Sequence, residues 1–264
     1  MTEQPPKSTT LQDLRARIAQ LEGLASGPRS GTTIGLGHEE IDGHLPGGGL
    51  HRGGLHEVTP ASYPDMGAAT GFLTGLAARC ANAQPERPLL WCETDRPPFD
   101  QGRLHAPGLA IFGLDPDRLI LAEPGRNRDL LWTMEEALRA GVFAAVIAEI
   151  PDMSGEFDLT ATRRLQLAAE EGQTPALLLT GHRNGQGNGK AASAALTRWR
   201  ISALRMGASE SRFDQPCWQV ELERCRHGNP ASWAVRWQSV EHEFAALTPP
   251  VEKDTGIHPL RSAI

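Results

Sequence analysis

Apolar residues along this chain come in two spacings, and the two alternate. Continuous apolar blocks at residues 55–59, 88–93, 118–122, 142–150 and 175–180 have the length of strands buried on both faces. Between them lie stretches of helical period: 68–83, beginning near Met66; 101–112; 128–140, with Leu130, Leu131, Met134 and Leu138 on one face; and 159–171. Asn127 and Asp158 are residue types that cap the last two. Residues 94–100 form a polar, proline-rich loop. Strand followed by helix, repeated, predicts an α/β fold with a mostly parallel sheet and helices on both faces. The block at 142–150 is the most apolar and should lie centrally.

After residue 181 the period changes. Residues 198–206 are strand-like. From Trp218 to Trp237 apolar and polar positions alternate on either side of His227-Gly-Asn-Pro, which predicts an antiparallel hairpin extending the parallel core. Trp218, Trp233 and Trp237 should be buried on its inner face. Before the first block, residues 39–42 read as a short helix. The turn Gly47-Gly48-Gly49 follows, with no helix start aimed at it, and is best explained as a permissive backbone turn.

The ends read differently. Leu11, Leu14, Ile18 and Leu21 recur at helical spacing, with Thr10 as cap and Gly23 as stop. That amphipathic helix needs a surface to cover, on its own core or on a neighbouring subunit. The predicted organisation is a polar start and amphipathic helix over 1–24, a linker over 25–33, a core over 34–247 and a polar, proline-containing tail over 248–264. Residues 181–192 form a polar loop with almost no apolar content.

Composition narrows the function classes. A hydrophobic content of 39% is ample for a core, and no apolar run reaches the roughly 20 residues of a membrane span. The first residues lack the apolar stretch of a signal peptide, so a cytoplasmic location is expected. A formal net charge of −6 excludes a chain-wide basic surface for nucleic acid but leaves room for a local patch. The four cysteines, Cys80, Cys92, Cys217 and Cys225, have no metal-ligand spacing, so no metal site is expected.

The turn between the strand at 55–59 and the helix near Met66 is where an α/β protein would seat a phosphate. The P-loop pattern requires GxxxxGK[ST] there. With Gly67 as its last glycine, Ala68 stands in place of the lysine and Ala69 in place of the magnesium-binding hydroxyl. Pro64 removes a backbone N–H, and Asp65 brings negative charge. Two readings fit the turn: an ordinary strand-to-helix connection, or a P-loop site that has lost its nucleotide chemistry.

From about Leu11 to Trp237 the chain resembles the RecA recombinase core. The resemblance is carried by the N-terminal helix, the glycine-rich lead-in at 43–53, Glu57-Val58, the helix-strand unit at 134–150 and the closing segment at 224–237. More narrowly it resembles the ImuA family, through Gly67-Ala68-Ala69 and the hairpin at 223–233. The resemblance implies a RecA-like P-loop fold acting in SOS-induced, error-prone translesion DNA synthesis. The implied partners are an inactive-looking Y-family polymerase homologue (ImuB-like) and an error-prone C-family polymerase, with RecA as a further partner.

It also implies positions. Glu149 would stand where RecA-like ATPases hold the magnesium shell, and Glu93 where a glutamate activates water; a structural role fits Glu149 at least as well and fits Glu93 better than the catalytic one. Arg224 and Arg226 match basic residues that reach a neighbouring subunit's nucleotide. The loop at 181–192, with Arg183 and Lys190, and Arg198 and Arg200 beyond it, would correspond to the DNA-binding loop. It has no aromatic residue on which a base could stack, so contact with DNA through these residues would be by phosphate, or indirect. Without the lysine and the hydroxyl, the expectation is a scaffold with no ATPase activity and no cofactor. The alternatives are an ATP-dependent recombinase-like DNA-binding protein and a SulA-type cell-division inhibitor.

Overall fold

The computed structural model describes residues 32–94, 102–150, 157–181, 192–204 and 215–247. The expected helix at 11–21, most of the 25–33 linker, residues 182–191 of the polar loop and the tail after 247 lie outside the described residues.

A two-stranded antiparallel ribbon, β1 (Thr33–Ile34) and β2 (Leu50–His51), encloses the short helix α1 (Glu39–His44). The glycine turn between α1 and β2 has φ of 84°, 81° and 159° at Gly47, Gly48 and Gly49, and a Cβ on Gly49 would lie 2.4 Å from the Ile34 carbonyl oxygen. Backbone freedom and close approach explain these glycines; no phosphate is needed.

The main sheet has nine strands in the order β11-β10-β9-β8-β3-β7-β6-β4-β5. Its parallel part comprises β3 (Leu55–Pro60), β4 (Leu89–Cys92), β5 (Leu119–Ala122), β6 (Ala145–Ile150), β7 (Ala176–Thr180) and β8 (Thr197–Ala203). The antiparallel part comprises β9 (Cys217–Cys225), β10 (Ala231–Gln238) and β11 (Glu243–Ala246). The sheet is thus α/β and mostly parallel, with an antiparallel end, as the alternation of spacings predicts. Every residue of β6 is buried, which fits the apolar run that encodes it.

Two cores flank the sheet. On one face α2 (Met66–Ala83) packs Phe72, Leu73 and Leu76 against Trp91, Ile147, Trp199, Trp218 and Trp237. On the other, α4 (Asn127–Ala140) and α5 (Leu159–Gly172) pack Leu130, Met134, Leu138 and Leu165 against Leu90, Val146 and Leu178. Asp158 caps α5, accepting from the Ala161 N–H at 2.8 Å. No helix among the described residues is long and apolar enough to cross a membrane.

Several local expectations change. The helix expected over 101–112 shortens to α3 (Ala106–Ala110), where Gly102 and Gly113 take positive φ on either side. Asn127 is the first residue of α4, and Arg126 stands at the cap without a side-chain bond. Trp233 is half-buried, its ring edge-on to His44 at 5.3 Å, while Trp218 and Trp237 are buried. Arg118 donates to the carbonyls of Ala81, Gln84 and Arg87 at 3.3, 3.0 and 2.7 Å, closing the C-terminal end of α2, which has no glycine cap.

Candidate functional site

The strand β3 ends in a tight connection to α2, made by a single 3-10 turn at Tyr63–Asp65. Its hydrogen bonds are internal. The Ser62 hydroxyl donates to one Asp65 carboxylate oxygen, and the Ala203 N–H donates to the other at 3.0 Å. Asp65 therefore ties the start of α2 to the end of β8, and its charge lies at the helix N-terminus, where a phosphate would have to sit. Gly67, Ala68 and Ala69 follow within the first turn of α2. A Cβ on Gly67 would meet nothing within 4 Å, so packing does not require this glycine.

The other two positions come together. Cys92 of β4 pairs with Ala148 of β6, so Glu93 and Glu149 are the next residues on neighbouring parallel strands. They point to the same face as Trp91 and Ile147, two residues before them, which belong to the α2-side core. Glu93 is 2% exposed and Glu149 9%. Burial, reinforced by the Glu93 charge, pushes the Glu149 carboxyl up to about 7; the Trp91 indole opposes this without closing a conventional hydrogen bond. Burial raises Glu93 as well, with Arg103 opposing. Oε1 of Glu93 and Nε1 of Trp91 have no hydrogen-bond partner.

Glu149 and Trp91 line a cleft of about 220 Å³ between α2 and the segment around α3. Thr70, Thr74, Arg103, His105 and Phe112 complete its wall. None of these five, nor Trp91, stands out in the sequence as a site residue. The available signal was Trp91 itself, two positions before Glu93 and hence on the same side of a strand. A larger groove, about 670 Å³, runs between the first turns of α4 and α5. Two of its three acids are already engaged: Glu135 pairs with Arg139 and Arg164, and Asp158 caps α5. The smaller cleft is lined by the buried, unmet Trp91 N–H and by Glu149 and is the better candidate site.

The expected basic contacts separate. Arg198 is 7% exposed, and its Nε lies 2.8 Å from Glu57 Oε2, with Ser193 on the other carboxylate oxygen. This corrects its assignment to a DNA or partner surface: a buried, paired guanidinium cannot leave its carboxylate cheaply. Arg200 is partly exposed and 3.6 Å from Glu221. Arg224 is exposed and donates to the Ser193 carbonyl at 2.6 Å, and Arg226 is exposed nearby. Arg183 and Lys190 lie outside the described residues.

No family model matches the chain. It is 37% identical over 237 residues to Protein ImuA of Caulobacter vibrioides strain NA1000 / CB15N, covering 83% of this chain and 89% of that protein. The same values hold for Protein ImuA of strain ATCC 19089 / CIP 103742 / CB 15. Among solved structures, that of the RadB recombinase superposes with a TM-score of 0.55 at 16% identity, over 81% of this chain and 99% of that one. The likeness to RadB shows a RecA-like fold.

Proposed function

Because this chain belongs to the ImuA family, we propose that it is a non-catalytic, RecA-like accessory protein of SOS-induced translesion DNA synthesis, bridging a Y-family polymerase homologue and an error-prone C-family polymerase. Family and fold support an accessory role in SOS mutagenesis in general. The observation that carries the non-catalytic reading is the turn before α2. Its N-terminal charge is the fixed carboxylate of Asp65, and residues 61–69 contain no lysine. A triphosphate there would meet repulsion in place of the preorganised cation that phosphoryl transfer needs.

Purified protein is expected to show no ATP turnover above background, with or without single-stranded DNA. Turnover abolished by Glu149→Gln would sink this reading. The bridging role places the partner contacts on the segments flanking the core. Pull-down with the Y-family homologue should succeed with the full chain and weaken when residues 1–24 or 248–264 are removed. Folded truncations that bind like the full chain would move the contact to the core. DNA, on this reading, is approached through the polymerases, with RecA as a further partner.

A further inference from the structure

The groove between the first turns of α4 and α5 has spent its acids and kept its cations. Glu135 is buried between Arg139 and Arg164, one guanidinium on each carboxylate oxygen. Asp158 caps α5. Asp129 lies in the first turn of α4, where the helix dipole favours negative charge. Of the groove's three arginines, Arg164 is held by Glu135. The exposed side chains of Arg126 and Arg128 make no hydrogen bond or ion pair among the described residues. Arg126 stands at the start of α4 without capping it, so local helix structure does not account for it. Beside these cations the groove carries apolar surface. Trp132, one helical turn after Arg128, is 60% exposed, whereas the other five tryptophans are buried or half-buried. Leu131 lies half-buried beside it, and Leu159 is exposed on the first turn of α5. An open aromatic flanked by unspent arginines has the make-up of an interface core.

We propose that this groove docks a partner peptide that is acidic and carries large apolar side chains. Leucine or phenylalanine would cover Trp132 and Leu131, and aspartate or glutamate would meet Arg126 and Arg128, whose planar guanidiniums suit paired bonds to carboxylates. The groove's volume of about 670 Å³ lies within the roughly 300–1,000 Å³ of ligand pockets, enough for the anchoring side chains of a peptide. No buried polar atom without a partner lies in its wall. What is unmet there stands on open surface, as in a docking face and unlike a pocket for a resident small molecule. A nucleic-acid strand is the lesser fit. Its successive phosphates would pass Asp129 and Asp158, whereas a peptide can place its carboxylates at the two arginines alone. A single tryptophan also gives a strand no run of stacking platforms. The assignment rests on the groove and is independent of any contact made by residues 1–24 or 248–264.

Titration of the full-length protein into a short, capped, dye-labelled peptide of alternating leucine and glutamate, followed by fluorescence anisotropy, tests this. The peptide should bind, and added salt should weaken it, because exposed charge pairs are screened. The same peptide with glutamine for glutamate, or with serine for leucine, should bind at least tenfold more weakly. Arg126→Gln combined with Arg128→Gln, and separately Trp132→Ala, should each weaken binding at least tenfold. All three side chains are exposed, so circular dichroism should show the wild-type fold in both variants. Trp132 also reports directly. It is the most exposed tryptophan, so the unlabelled peptide should shield the acrylamide-quenchable part of the emission. Failure of the acidic peptide to bind, salt-independent binding, equal binding of the glutamine or serine peptide, or unchanged affinity in either variant would overturn the proposal. So would a single-stranded oligonucleotide that shields Trp132 more strongly than the peptide, which would assign the groove to nucleic acid. The peptide comparisons use unmodified protein and decide the matter even if a variant fails to fold.

Discussion

A carboxyl held near neutral pH leaves a mark on stability. Glu149 rises from 4.5 to about 7 on folding, so the folded state prefers it protonated. Below pH 4.5 the group is neutral in both states and costs nothing. Between pH 4.5 and about 7 the unfolded chain is ionised while the fold still holds the group neutral, so stability is lost across that window, by about 3 kcal/mol in full once the folded group ionises. Urea unfolding of wild type and Glu149→Gln at pH 4.5 and pH 8 should therefore diverge, the variant gaining on wild type only at pH 8. Parallel behaviour of the two proteins would mean that the carboxyl is not buried. Chain order placed each glutamate at a strand end, but not beside the other; adjacency depends on β4 and β6 being neighbours, which spacing alone does not reveal. Arg198 failed to read as buried for the same reason. Its partner Glu57 lies 141 residues away, on a strand that only the sheet order brings alongside.

Helix α2 is the element on which the two parts of the sheet meet, and its glycines are not equivalent. A Cβ at Gly75 would approach the Phe244 ring to 2.7 Å and Trp237 to 3.3 Å, whereas one at Gly67 meets open space. Alanine in place of a helical glycine usually stabilises by about 0.5–1 kcal/mol. Gly67→Ala should do so, while Gly75→Ala should lose about 1–2 kcal/mol to overpacking. Denaturant midpoints of the two variants check this, and a stabilised Gly75→Ala would show that the aromatic cluster is loose. Long elements with a clear period were legible in the sequence: α4, α5, β6 and the β9–β10 hairpin. The strand β11 was not, because Glu243-Phe-Ala-Ala has one large apolar residue and no alternation to read. Nor was the shortness of α3, where glycines break a pattern that is otherwise helical.

At the scale of the molecule, the antiparallel end is not an appendage. Phe72 of α2 lies within 5.9 Å of Trp199 and Trp218 and 5.0 Å of Phe244, ring centre to ring centre, so one core spans parallel and antiparallel strands. Unfolding should therefore be a single transition. Tryptophan fluorescence, dominated by this cluster, and far-ultraviolet circular dichroism should trace coincident curves. An earlier fluorescence transition would show the hairpin detaching on its own.

Arg79 joins distant parts of the chain. It donates to the Gly35 carbonyl at 2.8 Å and the His242 carbonyl at 3.0 Å, and the Phe244 N–H meets the Leu36 carbonyl at 3.1 Å. The polypeptide thus enters and leaves the described body at one corner. At roughly 3.3–3.6 Å per extended residue, Thr32 and Leu247 stand within about 30 Å of each other. Segments 1–31 and 248–264 are therefore joined to the described body no more than about 30 Å apart. On the proposed bridging reading, a partner held by both segments would combine two weak contacts as avidity. Removing either segment would then weaken the complex by far more than that segment's own contacts.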